Sequence, residues 1–102
     1  MNKKIFLESH HIYNPYSGFG QFNYWLIKNM LKYNNEYDFV ANAKKKKTIK
    51  NLGNGIRFKK YLGLQRYESF RIKEKFDLWH SLNQNTKIEP FHDLPYLLTI
   101  HD

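Results

Sequence analysis

An α/β fold with an open, mostly parallel sheet is predicted by three features of this chain. Its apolar and β-branched residues come in short unbroken runs: Ile5-Phe6-Leu7, Phe39-Val40-Ala41 and Leu97-Leu98-Thr99-Ile100. Unbroken runs mark strands covered on both faces, whereas half-exposed strands alternate. Between the first two runs the apolar period changes to three and four, as in an amphipathic helix. The resulting order is strand, helix, strand and then further strands, which is βαβ construction.

The first strand is Lys3–Glu8. A loop follows over Ser9–Gly18, where Asn14-Pro15 and Ser17-Gly18 supply turn chemistry. From Phe19 a helix is expected, with Phe19, Phe22, Leu26, Met30 and Tyr33 on one face, widened by Ile27 and Leu31. Ser17 stands as its N-cap, and Lys28 and Lys32 lie in its last turns, where the helix dipole favours cations. Asn34-Asn35 ends it, and Tyr37–Ala43 is the second strand. Lys44–Lys47 opens a solvated loop or frayed turn that runs through Gly53-Asn54-Gly55 to a short strand, Ile56–Lys60. A helix is expected over Leu64–Lys75, with Leu64, Tyr67, Phe70 and Lys73 on one side. Asp77–Ser81 is a strand centred on Leu78 and Trp79, Leu82–Leu94 is a polar loop, and Pro95–His101 is the last strand, apolar enough to read as central. A central parallel strand normally runs on into a covering crossover helix. A chain stopping at His101-Asp102 therefore reads as the front part of a longer protein.

At 102 residues the chain supports one core, not a core plus a separate catalytic module. It has no cysteine, which excludes a disulfide framework and any thiolate metal site. No apolar run approaches the ~18 residues of a membrane span. Only three apolar residues follow Met1-Asn2-Lys3-Lys4, so there is no signal peptide, and a cytoplasmic setting is expected. Seventeen basic side chains face nine acidic ones, a net charge of +8 that favours phosphates, nucleic acid or a lipid headgroup surface without choosing among them. An aromatic content of 18% argues for a folded core. The Lys44–Lys47 run reads as a solvated surface that could also draw the protein to anionic membrane or RNA. No aromatic residue interleaves with it, which argues against nucleic acid.

Four groups of residues could carry chemistry. At Ser17-Gly18-Phe19-Gly20-Gln21, glycines let the backbone approach a ligand, and the free N–H groups of a helix start favour an anion such as phosphate. The spacing matches neither a dinucleotide fingerprint nor a P-loop, and the same glycines could serve only a turn and close packing. His80 and His101 each end a predicted strand. In open parallel sheets ligands bind beyond the carboxyl ends of the strands, so both imidazoles and the glycine turn are expected along one rim. The Ser9–Tyr16 loop, with His10, His11, Tyr13, Asn14 and Tyr16, suits a sugar, or is an ordinary surface loop packing on the helix. A metal site is not expected, because the histidines sit on different elements and no carboxylate stands at ligand spacing.

The opening Ile5-Phe6-Leu7-Glu8, followed by Ser17-Gly18-Phe19-Gly20-Gln21-Phe22 and an amphipathic helix, resembles the start of glycosyltransferases with the GT-B fold, in particular the family-4-type group. Asp77-Leu78-Trp79-His80, then Pro90, then Pro95-Tyr96-Leu97-Leu98-Thr99-Ile100-His101-Asp102, is similar in order and spacing to that group's later motifs. The middle, Lys44–Lys75, carries none of the likeness. The resemblance implies an incomplete N-terminal, acceptor-side Rossmann-like domain, the half-domain of a GT-B fold, with the C-terminal donor-binding domain absent from this sequence. It implies transfer of a sugar from a nucleotide-sugar donor to a glycan or lipid-linked acceptor, and no nucleic acid, metal or other cofactor; the positive charge adds the expectation of peripheral membrane association at the inner face.

Residue by residue, the resemblance gives Gly18, Phe19 and Gly20 to the donor's phosphates and sugar, although many relatives have adjacent glycines where Phe19 separates these two. It gives His101 to the transferred sugar with Asp102 orienting it, and His80 to the acceptor side; His11, Tyr13 and Asn14 are expected on that side too, as parts of a polar-aromatic loop suited to a sugar. Because the family's nucleotide-binding residues lie in the second domain, this chain alone is expected to be inactive. The competing expectation from composition is a small basic module, without enzyme activity, that binds RNA or an anionic membrane.

Overall fold

Parallel pairing on both sides makes the first strand the centre of the molecule. The computed structural model describes residues 3–9, 18–33, 36–82 and 88–100. Strand β1 (Lys3–Glu8) leads to helix α1 (Gly18–Tyr33) and strand β2 (Tyr37–Ala43), then to a short helix α2 (Lys46–Lys50) and strand β3 (Ile56–Lys60). Two single-turn 3₁₀ segments, Gly63–Arg66 and Glu68–Phe70, precede strands β4 (Leu78–Ser81) and β5 (Tyr96–Leu98). Among the described residues these strands form one five-stranded sheet in the order β3-β2-β1-β4-β5, with every neighbour parallel.

Alternate residues of each strand serve opposite faces. On one face Leu7, Phe39, Ala41 and Ala43 pack with Ile27 of α1 and with Ile49 and Leu52 around α2. On the other, Phe6, Val40 and Trp79 pack with Ile72, Phe76 and Ile88. Phe6 lies at the middle of this second core, its ring centroid 4.2 Å from Trp79 and 5.1 Å from Phe76. The sheet is therefore covered on both sides, as the unbroken apolar runs predict.

Four details depart from expectation. The buried line of α1 runs through Gly20, Asn23 and Ile27, while Phe22 and Tyr33 are exposed. The helix carries apolar residues over more of its circumference than the sheet covers, and its roll follows the contact between Ile27 and the small side chains of β2. The Lys44–Lys47 run is not all loop: Lys46 and Lys47 form the first turn of α2, which is held down by burial of Ile49. Gly53 and Gly55, at φ of +136° and +85°, make the turn out of it, a backbone that favours glycine.

The segment 64–75 is not one helix. Leu64, Tyr67 and Phe70 are exposed, so they offer no buried stripe to stabilise one. It crosses the second face instead, inserting Ile72 and Phe76. Glu74 anchors it, accepting from Lys4 at 3.0 Å, lying 3.4 Å from Lys59, and pairing with Arg57. Burial raises the Glu74 pKa, but the bonds from Arg57 and Lys4 outweigh that and hold it at about 2. Finally, β5 lies at the edge rather than the centre of the described sheet, with Tyr96, Leu97 and Leu98 all exposed. Its hydrogen bonding extends further, from Trp79 N–H onto the Pro95 carbonyl to Thr99 N–H onto that of Ser81.

Candidate functional site

The order β3-β2-β1-β4-β5 reverses direction between β1 and β4. In an open parallel sheet, such a reversal opens a crevice at the strands' carboxyl ends. Here those ends are Glu8-Ser9 and Ser81-Leu82, which lie side by side through the Glu8–Ser81 register pair. Leu82 N–H donates to the Glu8 carbonyl at 3.2 Å. Helix α1 follows β1 and returns across the sheet, so its glycine-bearing start belongs to this edge, with Gly20 buried.

Polar side chains gather there on both faces. On the face away from α1, Asn42 Nδ2 donates to Glu8 Oε1 at 3.0 Å, and Asn42 Oδ1 accepts from Ser9 N–H at 2.6 Å. Ser9 Oγ donates to the Asn42 carbonyl at 2.9 Å, and all three residues are buried. Beside them the Ser81 hydroxyl and Tyr96 phenol share a hydrogen bond of 2.6 Å. Burial raises the Tyr96 pKa against the effect of Ser81, and the nearby Glu89 and Glu8 carboxylates add to the rise. The phenol is therefore neutral at pH 7.

His80 faces the other way. It is the register partner of both Leu7 and Leu97, on the α1 side, and only 6% of it is exposed. Its Nε2 lies 2.8 Å from Thr99 Oγ1. It also lines a depression of about 480 Å³ formed with Ile5, Met30, Phe39, Leu78 and Leu97. That depression runs toward the amino ends of the strands, past Glu36 and Tyr37, so it is not the carboxyl-edge crevice. Asn23 of α1 is fully buried, and among the described residues neither its Oδ1 nor its Nδ2 finds a hydrogen-bond partner.

Burial holds the His80 pKa below its ordinary 6.5, so the ring is neutral at pH 7. Below pH 6.5 the unfolded chain takes up this proton more readily than the folded one, and stability contributed by the neutral ring falls as the pH drops. Melting temperature measured from pH 8 to 5 is expected to fall more steeply for the natural chain than for His80→Gln. Parallel curves would assign the pH dependence to other groups.

Of the residues singled out in the sequence, Gly18, Phe19 and Gly20 form the first turn of α1, while His80, near the end of β4, is joined to Thr99 and faces the depression rather than the carboxyl-edge crevice. His11, Tyr13, Asn14, His101 and Asp102 lie outside the described residues, as does Ser17. Asp77 belongs to the opposite end of the sheet, where its Oδ2 accepts from Lys4 N–H and its own N–H donates to the Lys4 carbonyl, each at 2.7 Å. Sequence reasoning missed Glu8, Asn42, Asn23 and the Ser81–Tyr96 pair. The available signal was a charged or amide residue closing an otherwise apolar strand, Glu8 after Leu7 and Asn42 after Ala41. Among the described residues no group of three or more His, Asp or Glu side chains could hold a metal, and no helix is long and apolar enough to cross a membrane. Comparison with protein-family models, with curated proteins and with solved structures finds no match for this chain.

Proposed function

We propose that this chain is the acceptor-side, N-terminal portion of a GT-B glycosyltransferase of family-4 type, which moves a sugar from a nucleotide-sugar donor to a glycan or lipid-linked acceptor. The observation that carries the reading is the all-parallel order β3-β2-β1-β4-β5 with a glycine-bearing helix start directly after β1. The positive end of the helix dipole at such a start suits the diphosphate that leaves when the sugar–phosphate bond breaks. In this reading Gly18, Phe19 and Gly20 approach the donor, and His11, Tyr13 and Asn14 line the acceptor side. His80 keeps its acceptor-side place as a positioning residue: through Thr99 it holds the segment that leads to His101 and Asp102. His101 then meets the transferred sugar, where a positioned imidazole can orient it or accept a hydrogen bond from a hydroxyl.

The test is nucleotide-sugar turnover by the whole translation product containing these residues, screened against uridine- and guanosine-diphosphate sugars. Transfer is expected, with His101→Ala lowering it by about 10²-fold or more while the melting temperature is kept. The 102 residues alone are expected to show none. No turnover with any donor, or turnover indifferent to His101→Ala, would overturn the assignment.

A further inference from the structure

Helix α1 bears an unusual residue at its outer pole. Its sheet-facing line passes through Asn23 and Ile27. At about 100° per residue, Trp25 falls on the opposite side, with Gln21, Lys28, Asn29 and Lys32 around it. Trp25 is 58% exposed, and Phe22 and Tyr33 on its flank are also exposed. Lys28 Nζ stands 5.7 Å from the Trp25 ring and 5.1 Å from that of Tyr24, and Lys32 Nζ stands 5.4 Å from the Tyr33 ring.

Helix α2 lies in the same layer. Trp25, Lys28 and Lys32 share a shallow depression of about 490 Å³ with Leu52, Gly53 and Asn54, the turn that follows α2. Around α2 the side chains of Lys44–Lys47 and Lys50 are exposed. Neither 18–33 nor 44–56 contains an acidic residue. The layer therefore concentrates most of the net charge of +8, while basic and acidic residues nearly balance over the rest of the chain. The aromatic residues that the lysine run lacks in sequence are supplied by its neighbour in space.

We propose that the α1–α2 layer is a docking face for an anionic lipid bilayer, with Trp25 entering the boundary between headgroups and acyl chains and the surrounding lysines on the lipid phosphates. Trp and Tyr favour that boundary, and lysine stems lie along apolar surface while their ammonium groups reach outward. Charge decides for lipid over RNA. Every cation on the layer is a lysine, whereas Arg57, Arg66 and Arg71 all lie on β3 or in the segment beyond it, and Arg57 is engaged by Glu74. Planar arginine forks are the groups that recognise nucleic acid best. The inference does not rest on the glycosyltransferase reading, and either can fail without the other.

Vesicles of phosphatidylcholine alone, and with roughly one-third phosphatidylglycerol, separate the outcomes. Binding by flotation is expected only with the anionic lipid and is expected to weaken at high salt. Trp79 is fully buried, so quenching by brominated acyl chains reports on Trp25 and should vanish in Trp25→Phe. The double change Lys46→Gln, Lys47→Gln should weaken binding by about tenfold or more. The control Arg66→Gln, Lys75→Gln removes the same charge elsewhere and should have a much smaller effect. No binding to anionic vesicles, equal loss with the control pair, binding without Trp25 quenching, or tight RNA binding in place of lipid binding would each overturn the proposal.

Discussion

Trp79→Ala is expected to destabilise the fold by about 3–5 kcal/mol, the usual cost of deleting a large buried aromatic side chain. A domain of this length has roughly 5–15 kcal/mol in total, so the loss is a large share of it. Trp79 is fully buried on the face of the sheet covered by Ile72, Phe76 and Ile88. Its ring stacks at a tilt on Phe6 and meets the Phe76 edge at 6.2 Å. Removing it leaves a void between β1, β4 and the crossing segment, whose hold on the sheet depends on Ile72 and Phe76. Trp79→Phe fills much of that space and should cost about 1–2 kcal/mol. Urea unfolding followed by circular dichroism measures both. A loss below about 1 kcal/mol for the alanine variant would mean that the second face contributes little.

The second large effect is expected at Asn42. Its amide accepts from Ser9 N–H and donates to the Glu8 carboxylate, both in buried surroundings. Asn42→Ala removes both bonds at once and takes from a buried carboxylate its amide donor. Leaving a buried hydrogen-bonding group short of its partner costs about 1–3 kcal/mol, and two such groups are affected here. The double change Glu8→Leu, Asn42→Leu removes both hydrogen-bonding partners together and is expected to be milder than Asn42→Ala, with a coupling of about 1–3 kcal/mol in the double-mutant cycle. Additive losses would show that the two side chains act independently.

Local pattern made much of this fold legible. β1, β2 and β3 fall over the residues their apolar runs mark, and α1 starts one residue earlier than its period implies, at Gly18. What pattern could not supply was the roll of α1, because Phe22 and Tyr33 are as apolar as the residues that pack. Nor could it supply the path of 64–75, which is fixed by Phe76 and Ile72 meeting a distant Phe6 and by Glu74 meeting cations on β1 and β3. β5 is an edge of the described sheet, and composition reports that a strand is apolar, not which neighbours it has. At the site, the glycine turn and His80 were visible as residue types at the ends of elements. The Asn42–Glu8 and His80–Thr99 contacts join residues 34 and 19 positions apart and emerge only from the register of parallel strands.

The placement of β1 between β2 and β4 has a consequence for synthesis on the ribosome. β2 follows after one helix, but the residues that complete the other side of β1 arrive much later: Lys4 bonds Asp77 across 73 positions. At about 5–20 residues per second, translation separates them by roughly 4–15 s. From completion of β2 at Ala43 to the arrival of Trp79, roughly 2–7 s at that rate, the nascent chain presents Phe6 and Val40 on a half-finished β1–β2 pair, a species suited to capture by a holdase until Trp79 emerges and closes it.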